Sequence, residues 1–234
     1  MRCRRDVLKA TLAASSMFWA NKVLSSEACS VMTSESQAQL TPDEVLKRLM
    51  EGNQRFVSGQ TLNCHRMQQI RATARSQAPM AAIVGCIDSR VPPEIVFDQQ
   101  IGDIFSARIA GNYVNDDIIG SLEFATQLAG AKTIVVLGHS ECGAVKGAID
   151  GAELGWLTGV LAQIRPSLDK LNYQGVPSSK NAELVQRVAE QNVRDAIDRL
   201  RQRSKVLPPL EAQGRLKIAG ALHDVGTGQM RWLT

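Results

Sequence analysis

The chain has 234 residues, of which 44% are hydrophobic and 21% charged, a balance ordinary for a globular chain with a core of moderate size. Only 4% are aromatic, which excludes the stacking platforms of single-strand nucleic-acid binders. Most of the net charge of +4 sits in the first 28 residues, where Arg2, Arg4, Arg5, Lys9 and Lys22 outnumber Asp6 and Glu27, so the body has no phosphate-binding stripe and no nucleic-acid partner is expected.

Residues 1–28 read as a leader. Arg4-Arg5-Asp6-Val7-Leu8-Lys9 is a twin-arginine pattern, and the short apolar stretches Ala10–Ala14 and Met17–Ala20 follow it. Ser26 and Ala28 put small residues at −3 and −1 of a cut after Ala28, as in a signal peptide. The predicted destination is export to the periplasm. Lipid anchoring through Cys29, or a cytoplasmic chain with a plain extension, are the alternatives. The stretch is too short and interrupted to span a membrane, so the mature chain is expected to hold no transmembrane segment.

Residues 29–40 are small and polar and read as a linker, ahead of one domain over 41–234. Thr41-Pro42-Asp43-Glu44 is a helix start, with an N-cap, Pro in the first turn and acids after it. Val45, Leu46, Leu49, Met50 and Phe56 then recur at helical spacing. That helix would pack either across a partner copy or on its own sheet. Continuous apolar runs over 81–86, 104–109 and 133–138 read as buried parallel strands, with a helix over 116–129 between the last two. Helices follow over 153–171, bent or split at Pro166, and over 183–203. A terminal strand pair, 217–222 and 229–233, turns at Gly226-Thr227-Gly228. The predicted fold is α/β: a single domain with a mainly parallel central sheet of about four to five strands, flanked by helices and preceded by a helical arm.

Two motifs carry chemistry. Cys86-Ile87-Asp88-Ser89-Arg90 follows the first strand, and His139-Ser140-Glu141-Cys142 follows the third. Parallel sheets gather ligands at the carboxyl ends of their strands, which brings these distant segments together. Two thiols and an imidazole form a soft zinc site with a fourth position open. If the first segment is extended, Cys86, Asp88 and Arg90 share one side. Arg90 would then pair with Asp88 and keep it ionised beside the metal, where Asp88 orients water or itself closes the fourth position. Unrelated buried thiols or a structural zinc are the alternatives, but only Cys64-His65 offers a further ligand. Cys142 near a helix start has its thiolate favoured.

On these residues the chain resembles the β-class carbonic anhydrases, from about Glu44 to the C-terminus. Gly52-Asn53-Gln54-Arg55-Phe56, Ser89–Glu94 and Gly138–Gly143 extend the likeness. The resemblance implies one zinc ion per subunit on Cys86, His139 and Cys142, with Asp88 and Arg90 as catalytic dyad. Gln77, Phe105, Phe124 and Gly143 match positions that bind substrate or line the pocket. It implies reversible hydration of carbon dioxide to bicarbonate and a proton, by attack of zinc-bound hydroxide, in a homodimer or higher homo-oligomer. Hydrolysis of carbonyl sulfide or carbon disulfide on the same site, or a non-catalytic zinc or bicarbonate scaffold, are the rival functions. Ile109 replaces a usual Asn and Phe124 a usual Tyr. Ile83 and His223 stand at or near the Trp and Tyr positions of a regulatory bicarbonate pocket, so that regulation is not expected here.

His223, at a strand end, reads either as a proton shuttle or as an ordinary satisfied residue. Cys29 and Cys64 are either free thiols or a disulfide in an oxidising compartment.

Overall fold

A computed structural model of the chain describes residues 29–233; the leader over 1–28 lies outside the described residues. Among these, the chain runs α1 (Ser34–Gln39), α2 (Pro42–Val57), α3 (Arg66–Thr73), β1 (Ala81–Gly85), α4 (Pro93–Val96), β2 (Ile104–Arg108), α5 (Asp116–Glu123), β3 (Thr133–His139), α6 (Gly143–Asp150), α7 (Gly155–Asp169), α8 (Ala182–Arg203), α9 (Leu207–Ala212), β4 (Lys217–His223) and β5 (Met230–Leu233). The five-stranded sheet has the order β2-β1-β3-β4-β5. Its first four strands are parallel, and β5 returns antiparallel to β4.

β1 and β3 are apolar throughout because both faces of the sheet are covered, and every residue in them is buried. Alternation along β3 sorts the two cores. Ile134 and Val136 join α6, α7 and α8 in one cluster. Val135 and Leu137 face Val45 and Leu49 of α2, together with Val96 and Phe97, in the other. Helix α2 thus packs on its own sheet.

The Gly52–Phe56 stretch is what docks that helix. A Cβ on Gly52 would lie 1.9 Å from the Phe97 carbonyl oxygen, so only glycine permits the approach. Buried Asn53 donates to the carbonyls of Val96 and Gly228 (both 2.9 Å) and accepts from Met230 N (3.0 Å). Arg55 Nε donates to Asp98 at 2.6 Å.

Three local expectations are corrected and one open alternative is decided. The 29–40 segment is a tied-down arm, because Thr33 and Ser36 cap α1 reciprocally and buried Gln37 donates to the carbonyls of Pro79 (2.7 Å) and Ala129 (2.8 Å). Cys29 and Cys64 are joined in a disulfide that fastens the arm's start to the loop before α3. The helix expected over 116–129 is α-helical only to Glu123 and continues as a π turn over Phe124–Leu128. Pro166 lies inside an unbroken α7. No helix among the described residues is long and apolar enough to cross a membrane.

Candidate metal centre

Parallel pairing sets the two motifs side by side. Gly85 is level with Leu137, so Cys86 leaves β1 where His139 ends β3. Ser140 and Glu141 then turn the chain into α6, whose N-cap is Cys142. Glu141 adopts a left-handed φ of 56° and pairs with Lys146. The turn is anchored to β4, since Ser140 N donates to the His223 carbonyl and Val225 N to Ser140 Oγ.

The Cys86 and Cys142 sulfurs and a His139 ring nitrogen lie within 4.8 Å of one another, and all three residues are buried. His139 Nδ1 is 2.8 Å from the Ser140 carbonyl. A carbonyl only accepts, so Nδ1 carries the proton and Nε2 presents a lone pair. Nε2 is buried with no hydrogen-bond partner. An orphaned buried acceptor beside two thiols fits a metal.

The thiols share their acidity unevenly. The hydrogen bond from Cys142 pulls the Cys86 thiol down to about 4, against the opposing effect of burial. Cys142, bonded to that sulfur and buried, is pushed up, while the amides of Val145 and Ala144 at the start of α6 favour its thiolate. Gly111 N–H donates to Cys86 Sγ at 3.3 Å.

Beyond Asp88 the chain turns at Ser89 and Arg90 instead of running on as an extended strand. Val91 N bonds the Asp88 carbonyl, and Arg90 N bonds Asp88 Oδ1 at 3.0 Å. The pair expected from alternation forms through this turn. Arg90 Nε donates to Oδ1 at 2.9 Å and Nη2 to Oδ2 at 2.7 Å. This fork holds the Asp88 carboxyl far below the usual carboxylate range. Oδ2 lies 3.9 Å from His139 Nε2, so the carboxylate faces the trio. Gly143, exposed at the start of α6, follows Cys142 directly and has open space where a side chain would stand.

Gln77, Phe105 and Phe124 are elsewhere. Gln77 is exposed and precedes β1. Phe105 is level with Ala82, four residues before Cys86 and so on the order of 13 Å along the sheet from it. Phe124 packs edge-on against Phe105 at 6.1 Å. All three occupy the amino end of the strands, opposite the trio. Cys64 is spent in its disulfide, and His65 caps α3, so neither supplies a metal ligand. His223 is level with His139 and buried with neither ring nitrogen bonded; burial lowers its pKa.

Sequence reading missed Arg108, whose guanidinium clamps the carbonyls of Cys86 (2.9 Å) and Asp88 (2.7 Å). It also missed Asn192, which donates to the Gly111 carbonyl at 2.7 Å. The available signal for Asn192 was a polar residue on the apolar face of α8, beside Val188, Ala189 and Val193.

The profile of the family described as carbonic anhydrase matches residues 81–230. A carbonic anhydrase of Mycolicibacterium smegmatis is 34% identical over 195 residues, covering 81% of this chain and 92% of that protein. Carbonic anhydrase 2 of Mycobacterium tuberculosis is 36% identical over 194 residues, covering 80% and 91%. Among solved structures, a β-carbonic anhydrase of Aspergillus fumigatus superposes with a TM-score of 0.63 at 32% identity, covering 71% of this chain and 81% of that one. A Coccomyxa β-carbonic anhydrase in complex with acetazolamide gives 0.65 at 28%, covering 71% and 77%. The chain belongs to the β-class carbonic anhydrases, a family of enzymes.

Proposed function

We propose that the chain is a zinc enzyme that catalyses reversible hydration of carbon dioxide to bicarbonate and a proton. One observation carries this reading: the buried Cys86, His139 and Cys142 trio with the Arg90-held Asp88 beside it. Two thiolates and a neutral imidazole suit zinc and leave one position open. When bound there, the metal supplies a Lewis acid that makes water a nucleophile near neutral pH. Asp88, kept ionised by Arg90, can only accept a hydrogen bond. It takes one from the attacking water and so turns a water lone pair toward the carbon. Arg108 holds the backbone on both sides of Ile87, which fixes Asp88 relative to Cys86. The test is zinc content together with stopped-flow hydration of carbon dioxide and turnover of carbonyl sulfide. About one zinc per chain and fast hydration are expected. Turnover of the sulfur gas alone moves the function to that substrate, and a chain that binds no zinc sinks the reading.

Assembly follows from Gln77, Phe105 and Phe124. In one chain they stand at the wrong end of the sheet to meet substrate. A two-fold axis across the edge strand β2 would set the amino end of one sheet against the carboxyl end of the other. Each pocket would then take these three residues from the second copy. The half-exposed Phe124 and exposed Leu128 and Ile95 supply apolar surface for that contact. Tetrameric relatives from Sordaria macrospora, at 28% identity and a TM-score of 0.60, support an oligomer.

Export to an oxidising compartment accords with the twin-arginine leader and with the Cys29–Cys64 disulfide. The bridge uses the Cys29 sulfur, which leaves none for a lipid. The mature chain recovered from the periplasm should begin near Cys29 and carry no lipid mass.

A further inference from the structure

Cys86 is held by a short turn that is itself unusual. Gly111 and Asn112 are both left-handed, with φ of 75° and 43°. Glycine takes this conformation without cost and asparagine with little, but two in succession need outside support. A side chain at position 111 would be strained at this φ and would have to displace Ile164, whose Cδ1 would lie 2.3 Å from the added Cβ. The turn's useful product is one backbone amide: Gly111 N–H reaches the Cys86 sulfur at 3.3 Å. The support comes from α8, where Asn192, 2% exposed, donates its side-chain amide to the Gly111 carbonyl at 2.7 Å. Ile164 of α7 closes the remaining side.

We propose that Asn192 is a positioning residue for the metal centre, acting through Gly111 to keep an N–H donor on the Cys86 thiolate. The proposal rests on the zinc reading above. Its chemistry follows from the donor set. Two thiolates neutralise much of a divalent cation's charge and weaken it as a Lewis acid. A hydrogen bond to one sulfur withdraws electron density and restores some of that acidity. Arg108 complements this by fixing the Cys86 carbonyl. The Cys86 ligand is therefore set from both its backbone and its sulfur, by Arg108 of β2 and by Asn192 of α8 acting through Gly111.

The direct experiment is NMR on the full mature protein with zinc exchanged for ¹¹³Cd. The Gly111 amide proton should show a scalar coupling to cadmium across the N–H···S bond. In Asn192→Leu that coupling should shrink or vanish and the cadmium resonance should move, with about one metal per chain retained and affinity lower by about tenfold. Asn192→Ser, whose hydroxyl is too short to take over the bond, is read the same way if the leucine variant does not fold. A purely structural role for Asn192 would change stability and leave the coupling intact. A cadmium-loaded wild type without the coupling, or a variant with the wild-type coupling, overturns the proposal and leaves the metal site standing. Failure of the wild type to take up cadmium sinks the metal reading, and the proposal with it.

Discussion

The two ends of the sheet treat a carboxylate in opposite ways. At the carboxyl end, Asp88 lies in the fork of Arg90 and is held ionised well below the usual carboxylate range. At the amino end, Asp103, immediately before β2, is half-buried without a direct ion pair among the described residues, and its partial burial pushes its pKa up to about 6. Its carboxylate accepts from Gln100 N at 2.8 Å, and Arg48 offers only a weaker, more distant attraction. Asp88 has a cation two residues along the chain, whereas the stretch from Gln99 to Ala107 around Asp103 holds none. One end is arranged to keep and aim a charge, the other to bury groups against neighbouring elements.

The largest effects should come from the carboxyl end. Cys142→Ser or Cys86→Ser removes a ligand from a three-donor set, so bound zinc and hydration activity should both fall to background, read by metal analysis and stopped flow. Asp88→Asn should separate the two: zinc stays near one per chain while kcat drops by about 10³, within the usual range for a positioned proton acceptor. Equal loss of metal in that variant would make Asp88 a ligand rather than an orienting group. Because Arg90 depresses the Asp88 pKa, wild-type activity should not decline through Asp88 titration anywhere above the usual carboxylate range. Its stabilising pairing with Arg90 is present above that range and is lost only as pH falls through the depressed value.

A middle-sized effect tests whether the amino end serves a second copy. Gln77→Ala should lower activity by about 10² while leaving zinc in place, since a donor to a substrate oxygen is lost. Mixing Gln77→Ala with Asp88→Ala subunits should then recover activity. If each pocket draws on two chains, a mixed pair holds one doubly damaged pocket and one intact one. No recovery after verified subunit exchange would put both residues in one chain's pocket, against the separation seen along β1.

Legibility followed the range of the forces. Apolar runs announced β1 and β3, and Thr41 with Glu44 announced α2, because strand burial and helix capping are encoded within a few residues. The trio was legible because topology sends strand ends to one edge. Asp88 and Arg90 were paired for a mistaken geometric reason, since a turn and not an extended strand joins them. Gln37, Asn192 and the Cys29–Cys64 bridge act over 35 to 92 residues of separation, and nothing in the local pattern states such a partner. Gln77 and Phe105 carried a family likeness but no information on whether a chain brings them to its own metal centre.

The smallest expected effect addresses Asp103 itself. A carboxyl with a raised folded pKa binds its proton more tightly in the folded chain than in the unfolded one. The wild type is therefore at its best, for this group, below the ordinary value of 3.8, loses stability as pH rises toward about 6, and changes no further above it. Asp103→Asn keeps an acceptor for Gln100 N and removes the partly buried charge. At pH 8 the variant should be more stable than wild type by up to about 3 kcal/mol, the linkage equivalent of a shift of about two units, and at pH 4 the two should nearly coincide. Urea unfolding at both pH values reads this directly. A variant less stable at pH 8 would mean that Arg48, or a neighbouring copy seated at the amino end, holds the Asp103 charge after all. The two ends of the sheet would then handle carboxylates alike.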